Sequence, residues 1–158
     1  MSSYDTAAAT AEPVTQDFLT FMLAGQLFGI SVEHVNDVLG AQRITRVPLA
    51  PPAVVGVLNL RGHIVTAIDV RRCLDLPARE EDAASMNVVV NEDNELYSLI
   101  IDQVGEVLPL ERKRIEDAPS TLDSTWREVA RGVYPLQGTL LVILDIPRLL
   151  ALVDPAAK

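Results

Sequence analysis

Short apolar blocks separated by Gly, Pro, Asn and Asp run through most of this chain, which is the pattern of strands and turns rather than of long helices. Phe18 to Leu23 is apolar and partly β-branched, Ala24-Gly25-Gln26 reads as a turn, and Leu27 to Ile30 returns as a strand, so a hairpin is predicted. Ser31 stands where it can cap a short helix, in which Val32, Val35, Val38 and Leu39 recur at helical spacing and Gly40 ends the run. The other face of that helix would carry Glu33, His34, Asn36 and Asp37. Pro48, Pro51 and Pro52 keep the next segment extended. Val55 to Leu60 and His63 to Ile68 flank Arg61-Gly62 as a second hairpin, and Asp69 is placed to cap a short helix that stops before Pro77. Pro77 to Ser85 is the most linker-like stretch, and residues 1–16, rich in Ala, Thr and Ser, read as a flexible tail with order beginning near Asp17.

The pattern then repeats. Leu27 to Leu39 aligns with Leu96 to Leu108 at an offset of 69, and Leu60 to Asp69 aligns with Leu136 to Asp145 at an offset of 76. Matched Gly62 and Gly138, and matched Asp69 and Asp145, are harder to obtain by chance than matched aliphatic residues. Each half therefore ends as strand, capping Asp, short helix. Strands this short, with turn signals this frequent, predict a mostly β protein of two small barrels or a sandwich, the first barrel over roughly 17–84 and the second over roughly 85–153. Halves this small bury little core alone, so they are expected to pack on each other as one unit of stability.

Composition narrows the function. At 158 residues with 49% hydrophobic and 22% charged positions, the chain has the proportions of one globular unit. Its seven aromatic residues are few, which predicts an aliphatic core. The net charge of -9 argues against nucleic acid and anionic lipid as partners. Cys73 is the lone cysteine, the first residues lack the basic start of a secretory signal, and the longest apolar run, Thr139 to Leu144, has strand length. A cytoplasmic protein without membrane insertion is expected.

Candidate chemistry is sparse. His34 and His63 are the two histidines, and neither has a cysteine or carboxylate at a recognised metal spacing. Phosphate-binding glycine loops and the nucleophile elbow are missing, Glu92, Asp93 and Glu95 read as a solvated hairpin tip, and Cys73 reads as a core residue. Neither metal nor cofactor is expected. Charge, by contrast, is unevenly spread: Gly40 to Arg79 sums to +4 and Glu80 to Lys158 to -8, and arginine outnumbers lysine 11 to 2. Arginine's planar fork suits protein interfaces, so the residues favour a binding module over an enzyme.

The motifs Asp17-Phe18-Leu19-Thr20-Phe21, Val35-Asn36-Asp37-Val38, Gly56-Val57-Leu58-Asn59-Leu60-Arg61-Gly62, Ile68-Asp69-Val70-Arg71 and Ile101-Asp102-Gln103-Val104-Gly105-Glu106-Val107-Leu108 are similar to those of the CheW family of bacterial chemotaxis coupling proteins. The resemblance runs from Asp17 to Val153. It implies two five-stranded SH3-like β-barrels around a shared hydrophobic core. It also implies adaptor work, coupling the cytoplasmic tip of transmembrane chemoreceptors to the regulatory domain of the histidine kinase CheA, within receptor arrays at the inner face of the membrane. By position, Val35, Asp37, Gly56 and Arg61 match residues implicated in that coupling, and Ile64 and Val107 match apolar contact positions. Two departures stand out: Asp37 occupies a position where the family often has Glu, and Thr66 one where it often has Pro. The same fold serving another chemosensory array is one alternative, and a small β-barrel enzyme or ligand-binding protein, which would need a deep polar pocket, is a second.

Overall fold

The computed structural model describes residues 14–153. The strands are β1 (Thr15–Leu23), β2 (Gln26–Ser31), β3 (Val35–Leu39), β4 (Val54–Leu60), β5 (His63–Asp69), β6 (Met86–Glu92), β7 (Glu95–Ile101), β8 (Gln103–Glu111), β9 (Ala130–Leu136) and β10 (Thr139–Leu144). Three short helices join them, α1 (Val70–Cys73), α2 (Ser124–Val129) and α3 (Ile146–Val153). Residues 1–13 of the expected tail lie outside the described residues, whereas Thr15 and Gln16 already pair with Glu111 and Leu110, so the ladder starts two residues before Asp17.

Both hairpins predicted in the first half form. Their turns place Ala24 (φ 49°), Gly25 (φ 83°), Arg61 (φ 51°) and Gly62 (φ 87°) in the left-handed region, which matches the twist of the flanking strands. Asp69 accepts a hydrogen bond from the Arg71 amide at 3.1 Å and Asp145 one from the Arg148 amide at 3.0 Å, so both strand-Asp-helix units exist as read.

The predicted helix after Ser31 is corrected. Ser31 does accept from the Glu33 amide, at 3.3 Å, but the helix is a single 3-10 turn over Val32–His34, and Val35–Leu39 is strand β3, paired with β6. Val35 and Leu39 fit a helix at spacing four and a strand at twice two. What hid the alternation is an irregularity in the ladder between Val35 and Asp37, which turns Val35 to the shared core and Leu39 to the core of sheet two, with the polar Asp37 on the same side as Leu39. Val35 and Val38 prefer the pleated ladder, and pairing with β6 decides the outcome.

The strands form two five-stranded sheets, in the orders β8-β1-β2-β10-β9 and β3-β6-β7-β5-β4. Here the boundary expected near residue 84 is corrected. Sheet two is the continuous middle of the chain, while sheet one combines β1 and β2 with β8 to β10. In terms of the repeat, each sheet takes its first two strands from one copy and its last three from the other. Neither half of the sequence holds a whole sheet.

Both faces of each sheet are covered, which explains why the strands read as nearly continuous apolar runs. Phe18, Leu110, Tyr134, Leu141 and Ile143 fill the concave side of sheet one, and Leu58, Val65, Ala67, Val89 and Ile100 that of sheet two. Between the sheets lies the larger shared core, with Phe21, Phe28, Val142 and Leu144 from one side and Ile68, Val88, Leu99 and Ile101 from the other. Alternate residues of β10 thus serve different cores. The aliphatic expectation needs amending, because the aromatic residues, though few, are concentrated: Phe18, Phe21 and Phe28 are fully buried, and Trp126 meets Phe28 edge-on at 5.2 Å between ring centres.

One device closes both units. After β3 the chain crosses to the far edge of sheet two, where Thr45 and Val57 exchange two backbone hydrogen bonds of 2.8 Å, and after β8 Glu116 and Val133 do the same in sheet one. Gly56 and Gly132, the residues just before Val57 and Val133, admit these crossings. A Cβ on Gly56 would lie 2.0 Å from the Thr45 carbonyl oxygen, and one on Gly132 2.5 Å from that of Glu116. The result is a pair of SH3-like barrels around a common core. Thr66, which stands where proline was the alternative, pairs on both sides, with Val57 and Tyr97.

Candidate functional site

One end of sheet two gathers the start of β3, the β4–β5 tip and the β6–β7 tip. Arg61, at the β4–β5 turn, reaches back across the open edge and donates from Nη2 to Asp37 Oδ2 at 2.9 Å. The turn is supported from within, since the Gly62 amide donates to Asn59 Oδ1 at 2.9 Å. Arg61 keeps 71% of its side chain exposed and Asp37 25%, so the guanidinium is anchored on one side and free on the other. A shallow hollow of about 400 Å³ lies beside it, lined by Asn36, Leu60, His63, Asn91, Asn94 and Leu96. Five donors in a fixed plane, one engaged, next to amide side chains and an apolar floor, suit recognition of a protein surface bearing carboxylates or carbonyls.

The six sequence candidates separate into groups. Asp37 and Arg61 meet directly, and Ile64, 65% exposed, is the second residue of β5 at the same end. Val35 is half-buried against the shared core and pairs with Val90, and the ladder is irregular between it and Asp37. Gly56 is buried, and the close backbone approach expected of it is made by Thr45 of its own chain. Its part in any interface is therefore indirect. Val107, 51% exposed, lies on the other sheet, in β8 opposite Leu19. By the offset of 69 it corresponds to Val38 of β3, which is also exposed. The hollow's Asn36, Asn91 and Asn94 were missed as site residues. Asn94 at a hairpin tip reads as turn chemistry, and nothing local says which tips will meet.

A second cluster, also unforeseen, joins the two sheets. Asp102, between β7 and β8, accepts from Arg71 Nη2 at 2.6 Å and Nε at 2.9 Å, from Arg79 Nη2 at 2.8 Å, and from the Ala24 amide at 2.9 Å. Burial alone would raise the pKa of this carboxyl, but the bonds from Arg71, Ala24 and Arg79 outweigh it, and the pKa falls to about 2. Arg71 is held above its ordinary value, chiefly by the bond to Asp102. Arg79 thereby pins the stretch that read as a linker. Cys73 is buried and its thiol is pushed up to about 12, mainly by desolvation, which leaves it protonated and inert at neutral pH. Among the described residues no group of three or more His, Cys, Asp and Glu is placed to hold a metal ion, and no helix is long and apolar enough to cross a membrane.

Two barrels built from an exchanged repeat, with an exposed arginine at a hairpin tip, define a class of small paired SH3-like β-barrel proteins. Comparison with known proteins specifies it. The family model described as CheW-like domain matches residues 17–154, and the chain belongs to that family. It is 33% identical over 152 residues to the chemotaxis protein CheW of Klebsiella aerogenes, covering 93% of this chain and 92% of that one. It is 32% identical to the chemotaxis protein CheW of Bacillus subtilis, over 86% and 88% of the two chains. Among solved structures, the scaffolding protein TtCheW from Thermoanaerobacter tengcongensis superposes with a TM-score of 0.75 at 27% identity, covering 84% of this chain and 90% of that one.

Proposed function

We propose that this protein is a non-enzymatic coupling adaptor of bacterial chemotaxis, which links the cytoplasmic tip of chemoreceptors to the regulatory domain of the kinase CheA and works in receptor arrays at the inner face of the membrane. Membership of the CheW-like family supports the adaptor role, and relatives that carry the name chemotaxis protein CheW match over most of their length. The observation that carries the choice of surface is the Arg61–Asp37 pair. Exposed ion pairs contribute only about 0 to 1 kcal/mol to folding, so an arginine held open at a hairpin tip is better explained by what it meets outside the chain. Asp37 orients Arg61 and sets the register of docking by charge, while Ile64 excludes water beside it. Val35 backs this face from the core side, and Gly56 keeps the β4 edge in place. Val107 contributes an apolar contact on the second barrel, consistent with a bridge that needs two faces.

Calorimetric titration of the protein with the cognate kinase regulatory domain and with a receptor cytoplasmic fragment tests this reading. Arg61→Glu is expected to weaken at least one of the two by about thirtyfold or more, the loss typical of an interface anchor. Unchanged affinity for both partners would remove this end of sheet two from the site.

A further inference from the structure

The loop from Gly40 to Ala53 holds up a side chain that its own fold does not use. Leu49 is fully exposed, at 104% of its reference area, and its φ of 61° lies in the left-handed region that a residue of its size rarely adopts. The loop around it is nonetheless well fixed. Pro48 precedes it, Pro51 and Pro52 follow, the Val54 amide donates to the Pro51 carbonyl at 2.9 Å, and the Thr45–Val57 pair ties the loop to β4. A strained, solvent-facing leucine on a rigid support is an anchor prepared before binding, with little ordering left to lose. The loop carries Arg43 and Arg46 and no acidic residue, so it is locally positive on a chain of net charge -9.

The same face offers a matching receptacle. A groove of about 560 Å³ runs between sheet two and α3, with Ile68, Tyr97, Leu150 and Val153 among its walls and Glu92 and Glu95 on its acidic side. No basic residue lines it. Val54 borders both this groove and the hollow under the Leu49 loop, so anchor and receptacle are neighbours. Leu49 does not enter the groove of its own chain, because it is wholly exposed.

We propose that the occupant of this groove is the Leu49 loop of a second copy. Because loop and groove adjoin on one face, a twofold axis between two copies sets each loop over the other's groove, the arrangement of an isologous dimer. Leu49 then leaves water for the apolar wall, and Arg46 faces the carboxylates of Glu92 and Glu95, so charge as well as shape favours the pairing over the overall repulsion of two acidic chains. This contact is separate from the Arg61 end of sheet two and leaves it open to other partners.

Sedimentation velocity of the full chain across a wide concentration range tests the proposal. The weight-average mass is expected to rise from the 17.2 kDa monomer toward twice that value, and less so at high salt. Leu49→Asn is expected to weaken association by about tenfold or more, while the melting temperature holds or rises, because asparagine accepts the left-handed conformation. Arg46→Glu and Glu95→Lys are each expected to weaken it, and the double variant to recover. A monomer at every concentration overturns the proposal; that result would also follow if residues 154–158 of the same chain filled the groove or if Leu49 served a different protein. Wild-type association by the Leu49→Asn variant, or no recovery in the double variant, overturns it as well. None of these outcomes bears on the adaptor reading, which rests on Arg61 and its partners.

Discussion

Arg61 and Arg71 each donate to an aspartate of the same chain, yet the two pairs differ in almost everything else. Arg61 keeps 71% of its side chain in solvent and touches Asp37 through one nitrogen. Arg71 keeps 14%, grips Asp102 through two nitrogens, and shares it with Arg79 and the Ala24 amide. The first joins a hairpin tip to an edge strand within sheet two. The second ties the β1–β2 turn of sheet one to α1 and to the connection leading into β6. A half-buried carboxylate with five donors around it cannot lose one partner cheaply, because the rest stay desolvated. An exposed arginine that loses its aspartate simply returns to water. The contrast separates a residue that holds the fold from one that the fold presents.

Cutting the chain between residues 84 and 85 probes this contrast at its coarsest. The first half keeps both Asp37 and Arg61 but loses Asp102, and neither half contains a complete sheet. Each half expressed alone is expected to be unfolded or aggregated, as far-ultraviolet circular dichroism and a melting scan would show. A cooperative melt from either half would contradict the shared construction of the sheets.

Next in size is Asp102→Ala, which strands Arg71 and Arg79 in their half-buried site. A loss of about 3 kcal/mol is expected from urea unfolding, as for breaking one side of a buried pair. Its pH dependence has a definite sign. The folded pKa of about 2 lies below the ordinary 3.8, so the bonded carboxylate stabilises the protein fully above about pH 4 and loses that contribution as pH falls toward 2. At about 1.4 kcal/mol per pKa unit this is roughly 2 kcal/mol. The stability gap between the protein and Asp102→Asn should therefore narrow from pH 6 to pH 3. A gap that widened on acidification would refute the clamp.

What could be read in the sequence, and what could not, follows the same division. Hairpins are local events, so Ala24-Gly25, Arg61-Gly62 and the capping aspartates Asp69 and Asp145 announced themselves. The offsets of 69 and 76 revealed that the chain is doubled. They could not reveal that β8 would pair with β1 and β3 with β6, because a repeat fixes the likeness of two units without saying which strands exchange. Asp37 misled for a related reason. The irregularity between Val35 and Asp37 breaks the strand period of two, so the valines fit a helical spacing equally well, and the partner of Asp37, Arg61, is 24 residues away. The Asp102 clamp draws on positions 24, 71, 79 and 102, none of which carries a local signal of the others. The site residues that were legible became so through resemblance to a family, and the structure then distinguished Gly56, which serves the fold, from Arg61, which faces outward.

Gly56 is where that distinction can be pressed hardest. With a Cβ only 2.0 Å from the Thr45 carbonyl, Gly56→Ala forces β4 and the crossing strand apart, and a loss of about 1 to 3 kcal/mol is expected in a urea titration. Gly132→Ala, with its closest contact at 2.5 Å, should cost less. If Gly56→Ala left stability unchanged yet reduced partner binding, the glycine would belong to the interface after all.

The smallest effect on stability, and the most telling, concerns the exposed pair itself. Arg61→Gln removes the charge but keeps a donor, and Asp37→Asn keeps the shape but removes the anchor. Each is expected to change the unfolding free energy by less than about 1 kcal/mol, and the double variant by no more than their sum less a coupling of about 0.5 kcal/mol. Binding should behave differently. Arg61→Gln removes the recognising group, whereas Asp37→Asn only releases it, so the first should weaken partner affinity more than the second, and the double variant should resemble Arg61→Gln alone. That ordering follows from Asp37 acting through Arg61. Should Asp37→Asn prove the more damaging of the two, the aspartate would be the group that touches the partner, and Arg61 the one that holds it in place.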